Sequence, residues 1–483
     1  MGSKHRPSSV HDMLDLAVIG ATVVTPSGPA LLDIGVRDGI TTMVVTPGSL
    51  PEATRVIDAT GKIVLPGGVD PHVHTNAPGG MAGVLGRDVI TKAALHGGMT
   101  TIIDFVWPGS GSPTEELDRV VAEWDGTSYT DYGFHVVLSD GTPDAGLEEI
   151  PGMIEAGFPS FKIFTTTITP PGGTVGAFRT STGTLMEIFK LTARHGGIVD
   201  IHAEDDELVM HQYRKHFEAG KTDVRYMADV HTTISEDLSF RHCLQLQSHI
   251  PGAAAYFHHV TAGLGVEAVR EYRAKGRPVY AETLAVLSFV DQSVYAEPDG
   301  HKYHIYPSIK FPDDVEKIWD GIRTGDIHTF GTDGVCCLWE DKNRARTIHE
   351  TWGGVTGVEP KVALLYTELV NKRGLGLKRL AEVSSENAAK IFGLYPRKGA
   401  VLAGSDADFV IIDPTDEHPA KAADLHEGDW TPWEDWMLCG WPTWTVKGGR
   451  VVVEHNVMTD DSTAGRLLRR TLDPAVHAGT AVN

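Results

Sequence analysis

The stretch Gly67-Gly68-Val69-Asp70-Pro71-His72-Val73-His74-Thr75 decides how this chain is read. An apolar run, Ile63-Val64-Leu65, reaches Pro66 and the glycine pair. A short strand over residues 69–73 is then expected to carry the two histidines. Alternate residues of a strand share a face, so the imidazoles of His72 and His74 point the same way. Two neutral imidazoles converging from one strand suit a borderline-soft divalent ion such as zinc. A His-x-His pair alone is a weak signal. Here Lys162, His202, His259 and Asp333 follow, each at the end of a strand-like run, and that accumulation carries the reading.

Outward from this segment the chain alternates strands with helices. Residues 99–105, 133–139, 161–164, 198–202, 254–260, 279–282 and 330–333 are short apolar runs of strand type. Residues 114–125 read as a helix, and Leu185, Ile188, Phe189 and Thr192 form a helical stripe that stops at Gly196-Gly197. Repeated βα units imply a parallel sheet, and this many imply an α/β fold built on a (β/α)8 TIM barrel. The two ends differ from the middle. Residues 15–24, 30–36 and 56–64 are β-rich, and the same character returns at 409–412 and in a hairpin over 443–454 that turns at Gly448-Gly449. The expectation is a small β-sandwich built from residues 1–66 and 395–455, a barrel over 67–394, and an extended tail over 456–483.

At 483 residues the chain is too long for one ordinary core. With 41% hydrophobic and 22% charged residues it has the composition of a soluble globular protein. No run approaches the roughly 18 apolar residues of a membrane span. A net charge of -22 argues against nucleic acid or an anionic membrane as partner and says nothing about a small-molecule substrate. Residues 1–10 are polar and lack the apolar core of a signal peptide. Cys243, Cys336, Cys337 and Cys439 are too scattered for a disulfide framework, so the expected location is the cytoplasm.

Chemistry in such a barrel gathers at the C-terminal ends of the strands. The candidates stand there in order: His72 and His74, Lys162 in Ser-Phe-Lys-Ile-Phe, His202 in Ile-His-Ala-Glu-Asp, His259 in Tyr-Phe-His-His-Val-Thr, and Asp333 in Gly-Thr-Asp-Gly. With these motifs the chain resembles the amidohydrolase superfamily, in its cyclic-amidohydrolase branch of dihydropyrimidinases, hydantoinases and allantoinases, over nearly its whole length. The resemblance implies two divalent metal ions, zinc by default and manganese as the alternative. His72, His74 and Asp333 would hold one ion and His202 and His259 the other, with Lys162 bridging them as a carbamate formed with carbon dioxide. A cationic lysine beside two dications would be disfavoured, whereas a carboxylated one offers each ion an oxygen. The implied reaction is opening of the C–N amide bond of a cyclic amide, imide or lactam by a metal-bridging hydroxide, with Asp333 accepting and returning the proton. The resemblance also implies a homotetramer, with the tail crossing to a neighbour.

Other chemistry-bearing residues take quieter roles. His258 and His259 are adjacent and must face opposite sides of a strand, and the family's His-Val-Ser/Thr pattern selects His259. His135 reads as a satisfied barrel-core residue, His328 as a strand-entry residue, and Cys336 and Cys337 as buried beside the pocket. The run Trp430, Trp433, Trp436, Trp441 and Trp444 reads as packing of the C-terminal segment against the barrel or a neighbouring subunit. Glu204 and Asp205 either support the ligand His202 or lie in a solvated loop.

Three substrate-binding positions depart from the family's pattern. The tyrosine usual five residues after the bridging lysine is Thr167, the usual serine is Tyr306, and the usual asparagine before a Gly-Gly pair is Trp352. A Tyr306 hydroxyl would replace the missing oxyanion donor, and Trp352 would wall or stack on a ring. The expectation is a non-standard substrate. The alternatives are an amidohydrolase acting on an acyclic amide, ester or carbamate, or a deaminase, and a non-catalytic scaffold. Deaminases of this superfamily usually hold one metal and lack the lysine, and a scaffold would have lost ligands, whereas all six positions are present.

Overall fold

The computed structural model describes residues 13–75, 81, 83–109, 111–173 and 178–482. The polar segment over residues 1–10 lies outside them. The N-terminal β-rich region forms β1 (Leu14–Thr25), β2 (Gly28–Arg37), β3 (Ile40–Val45), β4 (Ala53–Asp58) and β5 (Ile63–Pro66). The barrel strands follow as β6 (Gly68–Asp70), β7 (Met99–Val106), β8 (Asp131–Val137), β9 (Ser160–Phe164), β10 (Ile198–His202), β11 (Ala254–Phe257), β12 (Val279–Leu284) and β13 (Thr329–Gly331). These eight pair in sequence order into one parallel sheet. Every residue of β6 to β13 is buried, as parallel strands covered on both faces require.

The ends of that sheet meet just beyond the strands. Asp333 N donates to His72 O at 2.8 Å and His74 N to Gly334 O at 3.0 Å, closing the barrel at its C-terminal rim. The helices form as their patterns imply. The helix Pro113–Trp124 starts where the Ser112 side chain accepts from Glu115 N, with proline in its first turn, and it buries Leu117, Val120 and Trp124. The helix Thr182–His195 buries Leu185, Ile188, Phe189 and Thr192 and ends at Gly196, whose φ of 84° a side chain would resist.

The C-terminal strands are β14 (Phe409–Ile412), β15 (Glu417–Pro419), β16 (Met437–Cys439), β17 (Pro442–Lys447), β18 (Arg450–Glu454) and β19 (Val457–Met458). β14 lies antiparallel on β5, so both chain ends share one nine-stranded sheet outside the barrel, in the order β19-β18-β17-β14-β5-β1-β2-β3 with β4 on β1. This sheet has its own apolar cluster, including Val18, Ile34, Val64, Phe409 and Val446. Gly448 and Gly449, at φ 55° and 75°, make the tight turn of the β17–β18 hairpin.

Three expectations need correction. β6 stops at Asp70, because Pro71 has no N–H to extend the ladder, so His72 and His74 lie on the segment beyond the strand. β11 stops at Phe257, so His258 and His259 are not on opposite faces of a strand. The tail is not simply extended: it runs across the barrel's N-terminal end and includes a helical turn, Pro474–Ala478. Tyr132 N donates to Arg466 O at 3.0 Å, and Leu468, Leu472 and Val476 are buried with Val69, Ile198, Tyr256 and Tyr280 of the barrel.

Barrel, outer sheet and tail meet at a buried ionic cluster. Lys398 Nζ lies 2.6 Å from Asp131, 3.0 Å from Asp406 and 2.5 Å from Asp408. Asp131 also pairs with Lys447 at 2.9 Å and Arg466 at 2.8 Å. Burial alone would raise the Asp131 carboxyl, but Lys398, Lys447 and Arg466 together hold it well below the usual carboxylate range. Removing the central cation leaves buried carboxylates unpaired, so Lys398→Met is expected to cost about 3–5 kcal/mol in denaturant unfolding. Because Asp131 is depressed in the folded state, its stabilisation is present above the unfolded carboxylate value and lost as pH falls below about 4. The melting-temperature difference between the parent and Asp131→Asn should therefore be large at pH 7 and shrink as pH is lowered through that range.

Candidate metal centre

The barrel brings all six candidate donors to one cavity at the C-terminal ends of its strands. His72 and His74 follow β6, Lys162 lies within β9, and His202 ends β10. His259 and Asp333 each stand two residues past the ends of β11 and β13. All six are at most 6% exposed. His259 and Asp333 adopt φ of 37° and 48°, left-handed conformations rare for side-chain-bearing residues and often found where a backbone is held for function.

Two subsets are visible. His72 Nε2 and His74 Nε2 lie 3.1 Å and 3.0 Å from the same oxygen, Asp333 Oδ1, with donor atoms of all three within 4.8 Å of one another. The His202 and His259 rings stand edge-on at 4.5 Å, and His259 lies 5.4 Å from the His72 ring. Burial pushes His72, His202 and His259 well below or below their ordinary values, leaving neutral imidazoles with a lone pair to give. Lys162 Nζ is buried, has no hydrogen-bond partner among the described residues, and lies 4.9 Å from the Phe164 ring. Burial lowers its pKa to about 8, against the opposing pull of Asp333, Glu282 and Asp200. An unpartnered amine among neutral imidazoles and a carboxylate fits a site completed by conversion of that amine to an anion and by divalent cations.

A buried layer behind these groups orients them. His72 Nδ1 bonds Glu282 Oε1 at 2.7 Å, which leaves Nε2 facing Asp333 Oδ1 at 3.1 Å. Glu282 also receives the Tyr256 hydroxyl at 2.9 Å. On the other side, His202 Nε2 meets Glu204 Oε2 at 2.9 Å, leaving its Nδ1 for a ligand. Glu204 Oε1 continues to His231 Nδ1 at 2.8 Å, and His231 Nε2 to the Tyr213 hydroxyl at 3.0 Å. Glu204 is therefore a buried supporting group, not part of a solvated loop. Glu282 and His231 were missed in the sequence. An acid inside the buried run Val279–Leu284 is a usable signal for the first, while nothing local marks His231.

His258 sits behind His72, with rings 4.1 Å apart and Nδ1 3.2 Å from Glu282 Oε1. His135 is tied to Asp200 at 2.7 Å and to Pro71 O at 3.0 Å, and His328 Nδ1 accepts from Ala281 N at 3.0 Å. Cys336 and Cys337 are buried, and burial pushes their thiols up, that of Cys337 to about 11. Neither lines the cavity that holds the six candidate donors. A further group, His96, Glu359 and His426, lies outside the barrel mouth. Its imidazoles stack at 3.6 Å, with His96 Nδ1 2.9 Å from Asn456 Oδ1 and His426 Nδ1 3.0 Å from Glu359 Oε1.

The three departing positions separate. Tyr306 lines the cavity, with Gly353 against its ring. Thr167 does not line it: both its N–H and hydroxyl donate to Asp206 Oδ1, at 2.7 and 2.8 Å, and Ile168 faces the cavity in its place. Trp352 is packed in a cluster with Met81, Val335, Cys337 and Trp430, and its neighbour Gly353 does the lining. The opposite wall is aromatic, with Trp107 and Phe164 stacked at 5.9 Å and Trp107 5.7 Å from His74.

The amidohydrolase family profile matches residues 63–452. The chain is 32% identical over 465 residues to a D-hydantoinase of Geobacillus stearothermophilus, covering 93% of this chain and 95% of that protein. It is 30% identical over 458 residues to a D-phenylhydantoinase of Escherichia coli O1:K1, covering 93% and 96%. A solved structure of dihydropyrimidinase from Brevibacillus agri superposes with a TM-score of 0.88 at 28% identity, covering 94% of this chain and 98% of that one.

Loss of an orienting carboxylate behind a ligand typically weakens metal binding about 10–100-fold. Glu282→Gln is expected to show a loss of that size in a zinc titration against a competing chelator, with the fold retained by circular dichroism.

Proposed function

The chain belongs to the amidohydrolase family, and on that premise we propose that it is a metal-dependent hydrolase that opens the C–N bond of a cyclic amide, imide or lactam. The observation that carries the proposal is the buried, unpartnered Lys162 amine in one cavity with four histidines and an aspartate. His72, His74 and Asp333 would hold one divalent ion, His202 and His259 the other, and Lys162, as a carbamate, would give an oxygen to each. The lowered basicity of Lys162 favours that modification, because only the neutral amine attacks carbon dioxide. Two ions bound there would polarise the scissile carbonyl and acidify a water. Zinc suits this donor set best, with manganese as the alternative.

The protein's own groups then do the rest. Asp333, set against both His72 and His74, takes the proton of the attacking water and delivers it to the ring nitrogen as the C–N bond breaks. The Tyr306 hydroxyl is our candidate donor to the developing oxyanion, since its ring forms the cavity wall. Trp107, Phe164 and Ile168 offer an apolar face to a ring substituent. Lys162 is the one lysine or arginine among the described lining residues, and its nitrogen is committed. A neutral ring with an apolar substituent therefore fits better than one bearing a carboxylate. With Thr167 turned to Asp206 and Trp352 packed away, the substrate contacts differ from the family's pattern, which supports a non-standard substrate.

The hydantoinase relatives favour a cyclic amide over an acyclic amide, ester or carbamate, and a complete donor set speaks against a non-catalytic scaffold. The four free thiols support a reducing compartment, for which we propose the cytoplasm. No helix among the described residues is long and apolar enough to cross a membrane. A homotetramer remains part of the proposal on family resemblance, and native mass measurement checks it.

Elemental analysis of protein purified without chelators should find about two divalent ions per chain, and Lys162→Ala should lose both the ions and the turnover. A panel of dihydrouracil, hydantoin, allantoin, aryl-substituted hydantoins and larger imides and lactams tests the substrate class. No turnover on any of them after zinc or manganese and bicarbonate are supplied would refute it. Tyr306→Phe should cost about 10²–10³ in kcat, and an unchanged rate would remove the tyrosine from the mechanism. Burying a large apolar group contributes about 1.5–3 kcal/mol, so Trp107→Ala should raise KM for aryl-substituted rings roughly tenfold or more and leave dihydrouracil nearly unaffected.

A further inference from the structure

One buried cation has no place in the reaction just described. Lys342 ends the short helix Trp339–Lys342 and is fully buried. Its Nζ donates to the backbone carbonyls of His304 at 2.9 Å, Trp352 at 2.9 Å, and Gly354. Three N–H donors thus meet three carbonyls from two separate segments, which is the full capacity of an ammonium group. A fourth bond, Gly354 N to His304 O at 3.1 Å, ties the same two segments directly.

Both segments face the cavity on their other side. Ile305 and Tyr306 follow His304, and Gly353 lies between Trp352 and Gly354; all three line the space shared with His72, Lys162 and Asp333. The fit between the segments is close. A Cβ on Gly353 would stand 2.1 Å from Tyr306 Cε2, so the tyrosine ring lies directly on the glycine backbone. Burial of an ammonium without a carboxylate partner is costly, and burial indeed pushes Lys342 down to about 7. An apolar side chain would fill the same space without that cost, whereas only a multiple donor joins three carbonyls.

We propose that Lys342 is a positioning residue for substrate: it clamps residues 304–306 to residues 352–354 from behind and so sets the cavity wall formed by Ile305, Tyr306 and Gly353. It touches neither substrate nor reacting atoms. Its effect is on how well the wall matches the bound ring, and hence on binding and specificity, with the metal donors untouched. For its kinetic readout the proposal rests on the cyclic-amide reading.

The test is Lys342→Met in the full chain, compared with the parent in metal content, kinetics on the best substrate of the panel, and amide hydrogen exchange. The expected result is an unchanged metal content, KM raised at least tenfold with kcat within threefold, and exchange of the Gly354 amide accelerated at least tenfold while barrel-strand amides keep their protection. Lys342→Gln, which keeps two donors, should fall between parent and Lys342→Met on both readouts. Unchanged KM and unchanged Gly354 exchange in a folded Lys342→Met protein would overturn the proposal. Collapse of both variants to unfolded protein would also overturn it, by assigning Lys342 to global stability. If the parent hydrolyses nothing in the panel, yet Lys342→Met still loosens the Gly354 amide selectively, the clamp stands and the cyclic-amide reading alone has failed.

Discussion

The arrangement of the molecule depends on how an eight-stranded parallel sheet is closed. β6 and β13 are both only three residues long, and their join lies past the strands, where Asp333 N reaches His72 O and His74 N reaches Gly334 O. Backbone groups at the edge of a sheet must find partners, and here they are supplied by three candidate donors, His72, His74 and Asp333, and by Gly334. The bonds that complete the barrel also fix His72, His74 and Asp333, three of the candidate donors, against one another. This is why Asp333 is held at a positive φ and why its oxygen meets both imidazoles within 3.1 Å.

A second constraint is charge in a dry interior. The barrel mouth gathers four imidazoles, an amine and a carboxylate almost without solvent, an arrangement that holds only with each group neutralised or paired. Glu282 and Glu204 meet this need from behind by hydrogen-bonding His72 and His202, fixing which nitrogen of each ring faces the cavity. Lys162 has no hydrogen-bond partner among the described residues, and so its nitrogen is the point at which the candidate site would be completed. Elsewhere the chain treats buried lysines differently: Lys398 is surrounded by three aspartates, and Lys342 by three carbonyls. One holds together parts distant in sequence, and the other holds two loops at the cavity.

Much of the fold was legible because its signals are local. β-branched and apolar runs such as Met99–Val106, helix stripes such as Leu185, Ile188, Phe189 and Thr192, and the glycines that end them depend on a few neighbouring residues. Strand ends were less legible. Pro71 ends β6 early, and His259 turns the chain through a left-handed conformation that period-two alternation does not foresee. The tail was the least legible, since its polar composition hides Leu468, Leu472 and Val476, whose burial depends on a barrel end assembled from residues hundreds of positions away.

That the six candidate donor positions share one cavity could be read from residue types in order along the strands, because a barrel with parallel strands carries the end of every strand to the same rim. Family membership could be read for the same reason. Tertiary structure alone decided which side chains surround those donors. It turned Thr167 toward Asp206 and put Ile168 in the cavity, packed Trp352 away and let Gly353 line the wall, and brought Glu282, His231 and Lys342 into play. Motif order follows from chain connectivity, whereas the direction of a side chain in a loop follows from contacts between segments far apart in sequence. The residues that would set substrate choice therefore become visible only once the chain is folded.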